Sequence, residues 1–142
     1  MLLTIDLDIE GTPDVLEFAV ALDGNVLSQT PVDGVAYLAC DLPDLDDNSN
    51  HCLEFILSGK QPHHTQIDAA GNIISDLLLK ITAVHIDSIR IDHLLLEHAR
   101  YHHDFNGTGE PQSQQYAGIL GCNGRVIMPI SFPIYLWLLE HF

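Results

Sequence analysis

The chain reads as an all-β, jelly-roll-like two-sheet β-sandwich, and three observations predict it. Residues Ile81, Thr82, Val84, Ile86, Ile89 and Ile91 crowd one short stretch with β-branched side chains, which stiffens χ1 and suits a pleated strand. Apolar residues alternate with polar ones over several segments, the period of a half-buried strand. These segments recur at a spacing of roughly 8–12 residues with Gly-, Asn- and Asp-rich turns between them, as in sandwiches.

The central stretch is Asp76–Glu97. Its apolar phase slips near Thr82-Ala83 and again near Asp87-Ser88, and each slip requires a bulge, bend or turn. The reading preferred here is one long strand kinked at Asp87-Ser88. The alternative is two strands joined by a tight turn, for which Asp-Ser is a poorer pair than Asn-Gly.

The other elements follow in order. Leu3, Ile5, Leu7 and Ile9 face one side of a first strand, with Thr4, Asp6 and Asp8 opposite. Leu16–Leu22 and Val26–Val32 flank an Asp23-Gly-Asn25 turn, and Pro31 suits an edge. Asp33-Gly34 turns into Val35–Leu42, and an acidic loop over 43–50 leads to His51–Leu57. Residues 98–115 read as a long loop of functional type. Tyr116–Leu120 and Arg125–Phe132 read as a hairpin about Gly121-Cys-Asn-Gly124. The Leu-rich end after Pro133 reads as a short C-terminal helix, packed because so apolar a tail would otherwise aggregate.

Bulk composition narrows the function. Hydrophobic residues make up 46% of the 142, enough to support a single domain over 1–142. Five Lys and Arg face twenty Asp and Glu, a net charge of −15. Such a surface repels phosphate backbones and anionic lipid, so no nucleic acid is expected as a partner; it favours calcium or a basic protein surface. Cys40, Cys52 and Cys122 read as small buried hydrophobes, with a Cys40–Cys52 bridge as the alternative if their strands pair. The start, Met1–Asp6, lacks a basic segment and reads as no signal peptide, and no apolar run is long enough for membrane insertion.

Candidate chemistry is sparse. Asp44, Asp46 and Asn48 place oxygens at alternate positions, as calcium loops do, although Ser49 and Phe55 stand where an EF-hand needs Gly and Glu. His63-His64 and His102-His103 are possible metal ligands, but neighbours on a strand point to opposite faces. Nine histidines also make a pH-sensitive surface an option. No nucleophile elbow, phosphate loop or dinucleotide fingerprint is present, so no enzyme is expected. Tyr101, Phe105, Tyr116 and Trp137 are the aromatic candidates for stacking on sugar. Tyr101 beside His103, Asp104 and Asn106 reads as the exposed carbohydrate site, while Trp137 reads as core.

Two resemblances accompany this reading. The run Asp76-Leu-x-Leu-x-Ile-x-x-Val-x-Ile-Asp87-Ser-Ile resembles calcium-dependent xylan-binding modules, with Ser88 where those carry Gly. That resemblance implies a glycan ligand and a calcium ion, with Asp76 joining Asp44, Asp46 and Asn48 as ligands. The segments His64-Thr65, Asp68, Gly71-Asn-Ile73, Asp76, Tyr101-x-His-Asp-Phe-Asn-Gly107, Gly121-Cys-Asn-Gly124 and Pro133-x-Tyr-x-Trp-Leu-Leu-Glu140 resemble small sandwich proteins of tailed cyanobacterial phages. That resemblance implies a non-enzymatic virion component, a homo-oligomer held among protein neighbours, found in the virion or in the cytoplasm of the producing cell. The two expectations are thus a structural assembly protein and, as the alternative, a calcium-dependent carbohydrate-binding module.

Overall fold

The computed structural model describes residues 1–11 and 13–142. In chain order the strands are β1 (Leu2–Gly11), β2 (Leu16–Leu22), β3 (Asn25–Val32), β4 (Val35–Asp41), β5 (Asn50–Ser58), β6 (Gln66–Ile67), β7 (Ile73–Ser75), β8 (Leu77–Ile86), β9 (Ile89–Arg90), β10 (Arg100–His103), β11 (Gln112–Gln115), β12 (Ile119–Leu120) and β13 (Gly124–Ser131). Helix α1 (Asp92–His98) follows β9, and α2 (Ile134–His141) ends the chain. One sheet runs β12-β8-β1-β4, with β9 folded back on β8. The other runs β11-β10-β13-β5-β2-β3, and β6 and β7 form a small separate ribbon. The result is a two-sheet sandwich with a C-terminal helix, as the alternation requires.

Parity decides what lies between the sheets. Leu3, Ile5 and Leu7 of β1 point inward, as do Leu77, Leu79 and Ile81 of β8. From the facing sheet come Leu16, Phe18 and Val20, then Leu53, Phe55 and Leu57, then Val126, Met128 and Ile130. Phe18 and Phe55 meet with ring centroids 5.9 Å apart. Each such side chain contributes about 1.5–3 kcal/mol by leaving water. The cysteines are free, and Cys40 is buried among these apolar groups.

The first parity slip is a bulge. Asp6 lies opposite Ala83 and Leu7 opposite Ile81, so Thr82 is the extra residue. The second slip is a turn, which corrects the kinked-strand expectation. β9 pairs straight back on β8, with Ile86 opposite Ile89. Asp87 takes a left-handed φ of 52°, and its carboxylate accepts Leu2 N at 2.9 Å and the Tyr135 hydroxyl. These long-range bonds hold the turn without Asn-Gly chemistry.

Three further expectations are revised. Residues 92–98 form a helix, because the Asp92 carboxylate accepts Val84 N at 2.7 Å and Leu94 and Leu95 bury against the core. The expected loop 98–115 contains the β10–β11 hairpin, with β10 also paired to β13. Gly121–Gly124 is no hairpin: β12 pairs with β8, whereas β13 lies in the other sheet, so this segment crosses between layers. Helix α2 buries Ile134, Trp137 and Leu138 but leaves Leu139 and Phe142 exposed. No helix among the described residues is long and apolar enough to cross a membrane.

The acidic loop is tied down by one histidine. His51 Nδ1 meets Asp23 at 2.6 Å, and its Nε2 meets Asp47 at 3.0 Å. The Asp23 hydrogen bond raises the His51 pKa above its ordinary value, with Asp47 adding to it. Asp23 is lowered by His51 and the Cys52 N–H, and Asp47 chiefly by the Ser49 N–H. A raised imidazole stabilises the fold fully below about pH 6.5 and loses that contribution as pH climbs through its folded value. The lowered carboxylates act oppositely: their contribution is present above about pH 3.9 and lost as pH falls through their folded values. The cluster therefore contributes most between those limits. His51→Gln is expected to narrow the gap in urea midpoint between pH 5.5 and pH 8.5; an unchanged gap rejects the assignment.

Candidate functional site

The most structured surface feature follows β10. Asp104 Oδ1 accepts Gly107 N at 2.7 Å, and the Asp104 carbonyl accepts Gly109 N at 3.0 Å. Between these anchors Phe105 and Asn106 both adopt left-handed φ angles, 57° and 60°. That backbone turns the Phe105 ring outward, where it is 42% exposed. Gly109 makes the arrangement possible, since a Cβ there would come within 2.7 Å of the ring. Asn106 Oδ1 accepts Asn123 N at 2.7 Å, and Asn123 Oδ1 accepts Lys60 N at 2.8 Å. The loop is thus joined through Asn123 to the segment leaving β5.

Lys60 carries the next layer. Its side chain is fully enclosed, and Nζ donates to Asp76 Oδ1 at 2.6 Å, Leu77 O at 2.7 Å and Gly121 O at 2.6 Å. All three ammonium protons are committed. Asp76 Oδ1 also accepts Thr65 Oγ1 at 2.7 Å and Leu77 N at 2.9 Å, while Oδ2 has no hydrogen bond among the described residues. Burial opposes ionisation of Asp76, but the Lys60 and Thr65 bonds and the Lys60 charge outweigh it and hold the carboxyl below its ordinary value. Asp76 is therefore a fixed anion.

Phe105, Asn106, Thr108, Thr65, Asp76 and Ile73 surround a cavity of about 430 Å³ floored by Lys60 and Cys122. It holds an aromatic face, an aliphatic side chain, two hydroxyls, a side-chain amide and a free carboxylate oxygen. That combination suits a small ligand with one apolar face and many hydroxyls.

The site residues expected from sequence are distributed as follows. Tyr101 is only 3% exposed, which corrects its reading as a surface aromatic. Its parity points inward, and its hydroxyl donates to Cys122 O while accepting Cys122 N at 2.9 Å. His103 packs 4.8 Å from both the Tyr101 and Phe105 rings. Asp104 and Asn106 brace the turn, and Asn106 and Asp76 meet at the cavity. Of the four aromatic candidates, Phe105 is the one that lines this cavity with an exposed ring, in place of Tyr101. Asp44, Asp46 and Asn48 lie exposed on the acidic loop. Asp44 and Asp46 do not cluster with Asp76, whose carboxylate is paired with Lys60.

Among the described residues, Asp14, His63 and His64 do come together. The 3₁₀ turn Pro62–His64, rather than a strand, brings both histidines to one carboxylate, which corrects the opposite-faces expectation. His64 Nδ1 accepts Gln61 N at 2.8 Å and Nε2 lies 2.6 Å from Asp14. Nδ1 is therefore unprotonated and Nε2 carries the hydrogen, donated to Asp14. Metal binding at Nε2 would move that hydrogen to Nδ1, against the Gln61 N–H. The trio is a structural clasp.

The sequence matches no protein-family model and no curated protein. The structure does have a counterpart: a solved chain described as vCBM60 in complex with galactobiose superposes with a TM-score of 0.54. The match covers 90% of this chain and 97% of that one at 8% identity. What they share is the fold. That shared architecture agrees with the β-sandwich expectation. Nothing in the comparisons supports the phage-particle expectation.

Proposed function

We propose that this chain is a non-catalytic carbohydrate-binding module that takes a sugar in the cavity beneath Phe105. The carrying observation is an exposed aromatic ring held over a polar cavity, in a sandwich whose solved counterpart is in complex with galactobiose. The ring of Phe105 and the side chain of Ile73 offer apolar contact to the C–H faces of a pyranose. Asp76 Oδ2, Thr65 and the Asn106 amide offer acceptors and donors to its hydroxyls. No calcium is needed at Asp76, because Lys60 already balances it.

Calorimetric titration with galacto- and xylo-oligosaccharides tests this. Phe105→Ala is expected to weaken binding at least about tenfold, the loss of one good apolar contact. Gly109→Ala, which displaces the same ring, shifts affinity in the same direction. Equal affinities for wild type and Phe105→Ala across the panel would sink the proposal. Replacing calcium with chelator is expected to leave the titration unchanged.

A further inference from the structure

Another cavity, about 440 Å³, is lined by His102, Asp104, Gln112, Ser113, Asn123 and Arg125, with Arg100 bonded to Ser113 at its edge. Resting on the carbohydrate reading, we propose that it takes an acidic sugar unit, the carboxylate of a uronic acid, as the neighbour of the sugar under Phe105.

Strand parity places the groups. Tyr101 is buried, so Arg100 and His102 point to the outer face of the sheet. His102 lies opposite Arg125 on β13 and opposite Ser113 on β11. Directly opposed side chains start about 5 Å apart, so these three share one patch. Arg100 joins it through Ser113, with Nε donating to Oγ at 3.2 Å and Nη2 to the carbonyl at 2.8 Å.

In a chain with five Lys and Arg, their pairing is informative. Lys60 is paired with Asp76, Lys80 with Glu10, Arg90 with Asp92 and Arg125 with Glu54. Among the described residues Arg100 has no acidic partner, and two of its five N–H groups are engaged, by Ser113 alone. Of the acids at the patch, Glu54 is paired with Arg125 at 3.3 Å, and Asp104, which lines the cavity with Oδ1 bonded to Gly107 N, lies four residues from Arg100, roughly 13 Å of extended chain. At physiological salt a charge is screened over about 8 Å, so the distant acids count for less than these neighbours. A guanidinium with free forked donors matches a carboxylate. Asn123 lines this cavity and bonds to Asn106, which lines the other, so one glycan chain crossing the turn reaches both.

The probe is trigalacturonate against its methyl ester, the same rings without charge, titrated at physiological salt. Wild type is expected to bind the acid about tenfold more tightly. Arg100→Gln should abolish that preference while leaving the ester affinity and the melting temperature unchanged; Arg100→Lys, which keeps the charge, should retain part of it. Equal binding of acid and ester by wild type overturns this inference and leaves the neutral-sugar reading standing. A preference that survives Arg100→Gln overturns it too. If neither compound nor any neutral oligosaccharide binds, the parent reading fails and this one falls with it.

Discussion

Lys60→Met is expected to lower stability by about 3–5 kcal/mol, the loss seen when one partner of a buried ion pair is removed. The enclosed ammonium balances Asp76 and satisfies two carbonyls, Leu77 O and Gly121 O. Methionine fills much of the same volume but supplies no proton, so a carboxylate and two acceptors are left in a poorly solvated site. For a chain of 142 residues, at roughly 3 °C per kcal/mol, the melting temperature should fall by ~10–15 °C. Adding Asp76→Asn to Lys60→Met should recover part of the loss, because the stranded charge is removed with its partner. The pH dependence supplies a second check. In the wild type Asp76 is held below its ordinary value, so its contribution is present above about pH 3.9 and disappears as pH falls through the lowered value. Without Lys60 the ionised carboxyl loses its counter-charge while burial still opposes ionisation, so the gap between variant and wild type should close on acidification. A loss below about 1 kcal/mol at pH 7, or a gap indifferent to pH, would show that water replaces the ammonium.

The same residues show how much the sequence reveals. Period-two alternation identified the inward face of β1 because parity in a strand is strict, and it placed an irregularity near Thr82-Ala83 for the same reason. The slip at Asp87 was equally visible, but its nature was not. The turn there is held by Leu2 N, which lies 85 positions away in sequence. At the site, Asp76, Asp104 and Asn106 were legible as polar residues in turns. Tyr101 is expected on the surface from sequence because the β10–β13 pairing that turns it inward lies in a segment that reads as a loop. Lys60 gave no signal at all. Its three acceptors lie 16, 17 and 61 residues away, so only the closed sandwich turns a lone lysine into a buried anchor.

Gly11→Ala should produce a loss of comparable size from a different cause. Gly11 ends β1 opposite Leu77, with φ at 100°, and a Cβ there would lie 1.7 Å from the Asp76 carbonyl oxygen and 2.9 Å from its carbon. No rotamer relieves a contact between backbone atoms, so either the end of β1 leaves β8 or Asp76 moves away from Lys60. Strain at such a φ alone costs about 1–3 kcal/mol, and the displaced pairing adds to it, giving ~4 kcal/mol or more. Gly34 is the matched control. Its φ is 84°, but a Cβ there meets nothing within 4 Å, so Gly34→Ala isolates the conformational strain. The excess loss in Gly11→Ala over Gly34→Ala, read from urea midpoints, therefore measures how firmly β1 presses on the backbone that presents Asp76 to the cavity. Sugar affinity should fall in Gly11→Ala, measured where it is still folded, and hold in Gly34→Ala. Equal losses in the two variants would mean that Asp76 owes its position to Lys60 and Thr65 alone.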